Sequence, residues 1–343
     1  MKRYVLLSIL ILSLVLTGCS QGSKPVVENS QVPQKEKLVI TDMLGRQVEI
    51  PENLQRIATS KYMGHLVYAL GKQDKMVHQG LMGETGKGKS KLDPKYAALP
   101  AFKNDGSVEE VLALKTQLLF VYADFDQALI KQFTNAGAKV VALKGETLDE
   151  SYQAVKLMGK ILGADQQAEA YVSYCQNTVS NIKDRLKDLP ADQKPKVLMA
   201  GPKSIYTAAT KDMAANSMIE TAGGVNVAKD AVGLWAEISP EQLVKWNPDY
   251  IFLGSTKGIY GVNDVLNNPA LASVSAIKNK KVYIFPSNLG WWDFPAPQSV
   301  LGIQWLASTM HGDKFTNIDL KEFTDDYYKN YMGNTYTDLG GKL

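Results

Sequence analysis

The sequence predicts an α/β fold: two α/β lobes joined by a single long interlobe helix, with a ligand cleft between the lobes. Three observations carry this. Short apolar runs alternate with segments of helical period in two separate series, one before about residue 145 and one after about residue 195. Between the series, residues 164–189 contain neither Gly nor Pro, and Ala168, Val172, Cys175, Val179, Ile182, Leu186 and Leu189 recur at helical spacing on one face. The chain beyond residue 37 is also longer than one hydrophobic core usually serves.

Taken in order, residues 38–51 read as a β-hairpin turning at Leu44-Gly45-Arg46. A short buried strand follows at 56–59, then a helix at 64–70 ended by Gly71. A helix at 108–114, a strand at 118–121, a helix at 128–136 and a strand at 139–142 complete an N-terminal lobe, 38–160. Residues 148–189 lack strands. At 1.5 Å per residue, a helix of about 25 residues is a rod of roughly 38 Å, enough to run across two lobes. It is assigned to 161–190, with Cys175 packed in its apolar stripe. The C-terminal lobe, 191–343, has strands at 196–199, 250–253 and 282–285. Its helices fall at 213–221, closed by Gly223-Gly224, at 240–245 and at 297–308.

The N-terminus reads differently. Lys2 and Arg3 precede an apolar run, 4–16, that is too short to cross a hydrocarbon core comfortably and fits a signal peptide, 1–18. It stops at Leu16-Thr17-Gly18-Cys19, which resembles the lipobox of bacterial lipoproteins. That resemblance implies a diacylglyceryl group on Cys19 and a protein anchored on the extracytoplasmic face of the cell membrane. Residues 19–37, rich in Ser, Gln, Pro and charge, then read as a lipidated flexible tether. Removing residues 1–18 takes away Lys2 and Arg3, so the formal charge falls from +3 to +1, and nothing there points to nucleic acid. Cys175 is then the one cysteine of the body, so with Cys19 acylated no intrachain disulfide forms. No later apolar run is long enough to span a bilayer.

One motif has to be set aside. Residues 83–90 match the phosphate-loop pattern G-x-x-x-x-G-K-[ST] without mismatch, with Lys89 and Ser90 in the phosphate and magnesium positions. That chemistry needs a helix after the loop, and Pro94 and Pro100 follow at once. An exported protein also meets no nucleotide pool. The segment reads as a surface loop, with contact of Lys87 or Lys89 to an anionic ligand left open.

Ile40-Thr41-Asp42 with Gly45-Arg46 and Ile50-Pro51 resembles the opening hairpin of the substrate-binding proteins of iron-siderophore, haem and cobalamin ABC importers. Gly106-Ser107-Val108-Glu109, running into Leu112-Ala113-Leu114-Lys115, resembles that family's next block. Ile238-Ser239-Pro240-Glu241-Gln242-Leu243 followed by Asn247-Pro248-Asp249-Tyr250-Ile251 is the most specific match. The resemblance spans about residues 38–332. It implies two rigid lobes, a restraining helix and cargo held in the cleft of a monomer. It also implies one exposed glutamate per lobe for docking on the permease of a permease–ATPase pair. By motif position these are Glu109, with Glu110 as its neighbour and rival, and Glu241.

Loops at the C-terminal ends of strands should face the cleft. They carry aromatics: Tyr62, Tyr122, Phe125, Tyr206, Trp235, Tyr260, Trp291 and Trp292. Aromatic walls suit a large, partly apolar ligand. Of the histidines, His65 is near Tyr62, while His78 and His311 fall outside the predicted cleft loops, so a bare-metal site is not expected. The body's arginines, Arg46, Arg56 and Arg185, also fall outside them, leaving Lys61, Lys203 and Lys257 as candidate cations. A weakly charged metal chelate follows; the family resemblance then favours a ferric siderophore, of hydroxamate type, with a corrinoid such as cobalamin, or haem, as alternatives. No cofactor is expected. Without a G-x-S-x-G elbow or an H-E-x-x-H pair, an enzyme is not expected either. A periplasmic hydrolase and a structural lipoprotein are the remote alternatives.

Overall fold

One carboxylate builds the entry into the fold. The computed structural model describes residues 37–60, 63–78, 98–100, 107–123, 125–254, 258–286, 288–293 and 298–343. β1 (Val39–Thr41) and β2 (Gln47–Glu49) pair antiparallel, as the hairpin pattern predicts. Buried Asp42 sits in their turn and accepts hydrogen bonds from the backbone N–H groups of Leu44 and Arg46 and from the Arg46 guanidinium. Its Oδ2 also accepts from the Ala142 N–H, which stitches the hairpin to the first lobe.

In that lobe β3 (Ile57–Thr59), β4 (Leu118–Tyr122) and β5 (Lys139–Leu143) form a parallel sheet in this order. β4 is buried at all five positions, which explains why it reads as an unbroken apolar run rather than an alternation. α1 (Met63–Ala69) is buried along its whole length. α2 (Val108–Ala113) starts with a capping box, in which Ser107 and Glu110 satisfy each other's backbone N–H groups. α3 (Gln127–Asn135) is capped by Asp126. α4 (Leu148–Leu162) ends at Gly163, whose φ of +62° lets the chain reverse directly into α5 (Asp165–Leu186).

The second lobe differs in kind. Its sheet of six strands is mixed: β6 (Lys196–Ala200), β7 (Thr207–Ala209), β8 (Val225–Asn226), β9 (Trp235–Glu237), β10 (Tyr250–Leu253) and β11 (Val282–Ile284). The order is β11-β10-β6-β7-β9, with β8 beside β6. β6, β8, β10 and β11 run parallel, while β7 and β9 are antiparallel additions that the sequence reading missed. Strands of two or three residues leave no period to read. The helices are α6 (Ala214–Thr221), α7 (Pro240–Trp246), α8 (Val262–Leu266), α9 (Ser275–Lys278), α10 (Ser299–Met310) and α11 (Leu320–Met332). α10 buries nine of its twelve residues and forms the middle of the core. α11 was also missed.

Residues 37–343 cluster as one unit. α5 has 22 residues rather than about 25, roughly 33 Å of helix, and ends before half-buried Leu189. Its inward face holds the expected stripe together with Tyr171 and Thr178. It packs against α4 of the first lobe and against α6 and α10 of the second. Cys175 is packed, and burial pushes its thiol up to about 12, so it is inert at neutral pH.

Candidate functional site

The C-terminal ends of β4 and β5 meet the first turn of α10 across a cavity of about 40 Å³. By the usual allowance of about 10–15 Å³ per water this is room for two to four water-sized groups. Met63 and Leu66 of α1, Tyr122, Leu143-Lys144-Gly145 and Tyr152 form its first-lobe wall. Ser299, Val300 and Ile303 form the wall opposite, and Tyr171, Cys175 and Val179 of α5 the floor. Lys144 is the one charged side chain among these lining residues, and it is exposed.

His65 and Gln298 sit between those lining residues in sequence, and both are fully buried. His65 Nδ1 lies 3.1 Å from Gln298 Oε1, a link from α1 to the residue that opens α10. An amide oxygen only accepts, so the proton is on Nδ1 and the Nε2 lone pair is left over; among the described residues Nε2 has no hydrogen-bond partner. Burial holds this imidazole down at about 4, against a smaller opposing pull from the Gln298 hydrogen bond, so it is neutral at pH 7. Gly290 closes on the pair. Its φ is +139°, and a Cβ there would stand 2.8 Å from His65 Cε1 and 3.2 Å from Gln298 Nε2. Only glycine fits that approach. Nearby, Glu146 reaches across the lobes, and its Oε2 accepts from the Ala214 N–H at the start of α6, 3.3 Å away.

A second cluster surrounds Gly201, just past the C-terminal end of β6. Tyr260 donates its hydroxyl proton to the Gly201 carbonyl at 2.6 Å, and burial raises its pKa. A Cβ on Gly201 would stand 2.9 Å from the Trp235 ring. Trp235 is in strand β9 rather than a loop and is exposed. Asp293 faces Gly254 at the end of β10.

The predicted aromatics therefore divide. Tyr122 lines the interlobe cavity, His65 is buried between the lining residues Met63 and Leu66 without lining it, and Trp235 and Tyr260 gather at Gly201. Trp291 is half-buried beside Gly290. Phe125 is a core residue instead, tilted against Phe133 at 6.3 Å, because the turn after β4 folds it under α3. Trp292 is likewise core, 1% exposed and packed on Tyr336. The Tyr206 hydroxyl oxygen accepts from the Asn268 side-chain amide at 2.9 Å. Glu109 and Glu241 are exposed in the first turns of α2 and α7. Cys19, Tyr62, Lys61, Lys87, Lys89 and Lys257 lie outside the described residues. Lys144, Tyr152, Gly290, Gln298 and Ser299 were missed. The strand-end rule, applied to β5 as it was to β4, would have found Lys144.

All three body arginines serve the scaffold: Arg46 holds Asp42, Arg56 donates to the Leu114 carbonyl, and Arg185 to Lys314 and Asn317. Among the described residues no group of three His, Cys, Asp or Glu is placed to hold a metal ion.

Two α/β lobes with a cavity at the strand ends between them define a receptor architecture, and the sequence profile of the periplasmic binding protein family matches residues 57–289. The chain belongs to that family, as a substrate-binding protein of an ABC importer. The molybdate-binding protein MolA of Haemophilus influenzae is 28% identical over 324 residues, spanning 87% of this chain and 92% of MolA. The structure of MolA bound to molybdate matches with a TM-score of 0.77 at 26% identity, over 87% of this chain and 99% of MolA. The iron(3+)-hydroxamate-binding protein FhuD of Bacillus subtilis is 27% identical over 184 residues, 52% of this chain and 58% of FhuD. CeuE of Helicobacter pylori with Ni(II) bound shares the fold, with a TM-score of 0.72 at 21% identity over 89% of this chain and 99% of CeuE. Among the described residues no helix is long and apolar enough to cross a membrane.

Proposed function

We propose that this receptor captures a small metal oxyanion, of the molybdate and tungstate class, in the interlobe cavity and hands it to its permease. The observation that carries this is Lys144, the charged lining side chain of the interlobe cavity. The near-full-length likeness to MolA supports this cargo. A hydroxamate-type ferric chelate is the second reading, favoured by Trp235 and Tyr260 around Gly201. In either case His65 is the candidate contact with the cargo. Delivery uses Glu109 and Glu241 as the permease-docking carboxylates, and a lipid on Cys19 holds the receptor, a monomer, at the membrane.

Calorimetric titration against molybdate, tungstate, a ferric trihydroxamate, cobalamin, haem and free divalent ions tests the reading. The two oxyanions are expected to bind at one site, and Lys144→Gln to weaken them about tenfold, the size of one charge-assisted contact. Binding of the trihydroxamate alone would select the second reading. Silence from every ligand would overturn both.

A further inference from the structure

The last ten residues are tied to the loop that closes on His65. Asn288 spends its whole amide on them: Nδ2 donates to the Gly340 carbonyl at 2.8 Å, and Oδ1 accepts from the Lys342 N–H at 3.1 Å. The Tyr336 hydroxyl is 3.0 Å from the same Oδ1 and 2.9 Å from the Lys342 carbonyl. The Tyr336 ring packs on Trp292 and Tyr328, with centroids 5.4 and 4.8 Å away, and Tyr328 donates to the Leu289 carbonyl. Gly341 lies flat on that ring, where a Cβ would meet it at 2.3 Å. Thr337 fastens the tail to Asp325 of α11 through its N–H and its hydroxyl, both at 2.8 Å. α11 in turn packs against α1, which carries His65.

Here the ties converge on residues 288–293, which belong to none of the named strands and contribute one isolated bridge, Asn288 to Gly290. The position of this loop is set from outside it. The loop presents Gly290 to His65 and Gln298 at one end and Asp293 to Gly254 at the other.

We propose that the C-terminal segment 334–343 is a strap that positions loop 288–293 for cargo binding, with Asn288 and Tyr336 as its positioning residues. The proposal rests on the cleft reading above. Releasing the strap lowers the fraction of receptor in the binding-competent arrangement, and apparent affinity falls with that fraction.

The test uses the full chain, a version ending at Asp338, Asn288→Ala and Tyr336→Phe. Amide hydrogen exchange across 288–293 is expected to rise about tenfold in the first two variants, while exchange in β4 and β10 stays at the wild-type rate. Molybdate dissociation is expected to speed up about tenfold with association nearly unchanged. Tyr336→Phe keeps the ring and loses the hydroxyl, so it falls between. If the variants melt earlier but keep wild-type exchange at 288–293 and wild-type dissociation, the strap is a stabiliser only and the proposal is wrong. Should the shortened chain not fold, Asn288→Ala decides the matter with the tail intact. Should the wild-type chain bind no molybdate, the cleft reading fails, and the exchange measurement alone settles the strap.

Discussion

At the scale of single residues, His65 carries the most information. Its imidazole titrates near 6.5 in an unfolded chain and at about 4 when folded, chiefly because it is buried. Between those values the unfolded chain takes up a proton that the folded one refuses. Stability is therefore full above pH 6.5 and declines as pH falls toward 4. The shift corresponds to roughly 3 kcal/mol. His78, also buried and held at about 4, acts in the same window. Urea midpoints measured from pH 7 to pH 4.5 should fall, and His65→Gln should flatten part of the slope. Equal slopes in the two proteins would show that His65 is not the source. The sequence put His65 near the cleft but could not supply its partner. Gln298 is 233 positions away, and no local pattern marks it.

At the scale of elements, helix starts decide which charges are free. Ser107 and Glu110 close a capping box, so the Glu110 carboxylate is held on a backbone N–H and is half-buried, while Glu109 is exposed. That geometry favours Glu109 over its neighbour for docking. Glu241 has the equivalent place after Ser239 and Pro240. Hydrogen bonding at these helix starts lowers both carboxyl pKa values, so both are charged at neutral pH. We expect Glu109→Lys with Glu241→Lys to abolish uptake by whole cells while calorimetric affinity for cargo is unchanged, because exposed rim charges govern docking rather than the cleft. Uptake at the wild-type rate would remove both residues from the docking surface. The same scale shows what was legible. The hairpin at Asp42, the buried strands β4 and β10 and the face of α5 have strong periods and clear stops. β7, β8 and β9 are too short to carry a period, and the aromatic face of α11 takes its meaning only from the α1 and α5 surfaces it covers. Phe125 and Trp292 were misplaced for a related reason: adjacency to a strand end fixes the backbone, not the side on which a ring settles.

For the whole molecule, address and capture are proposed to be separable. Cys19→Ala should move the receptor from the membrane fraction to the soluble fraction, with cargo affinity retained. Effective concentration at the permease falls when the anchor goes, and uptake falls with it. A soluble mutant that no longer binds cargo would contradict the separation. Within the body, the Glu146 carboxylate accepts from the Ala214 N–H at the first turn of α6, a part-buried link between the lobes, and a hydrogen bond to a charged group contributes about 1.5–3 kcal/mol. It is one link among several, since α5 packs against α4 of the first lobe and against α6 and α10 of the second.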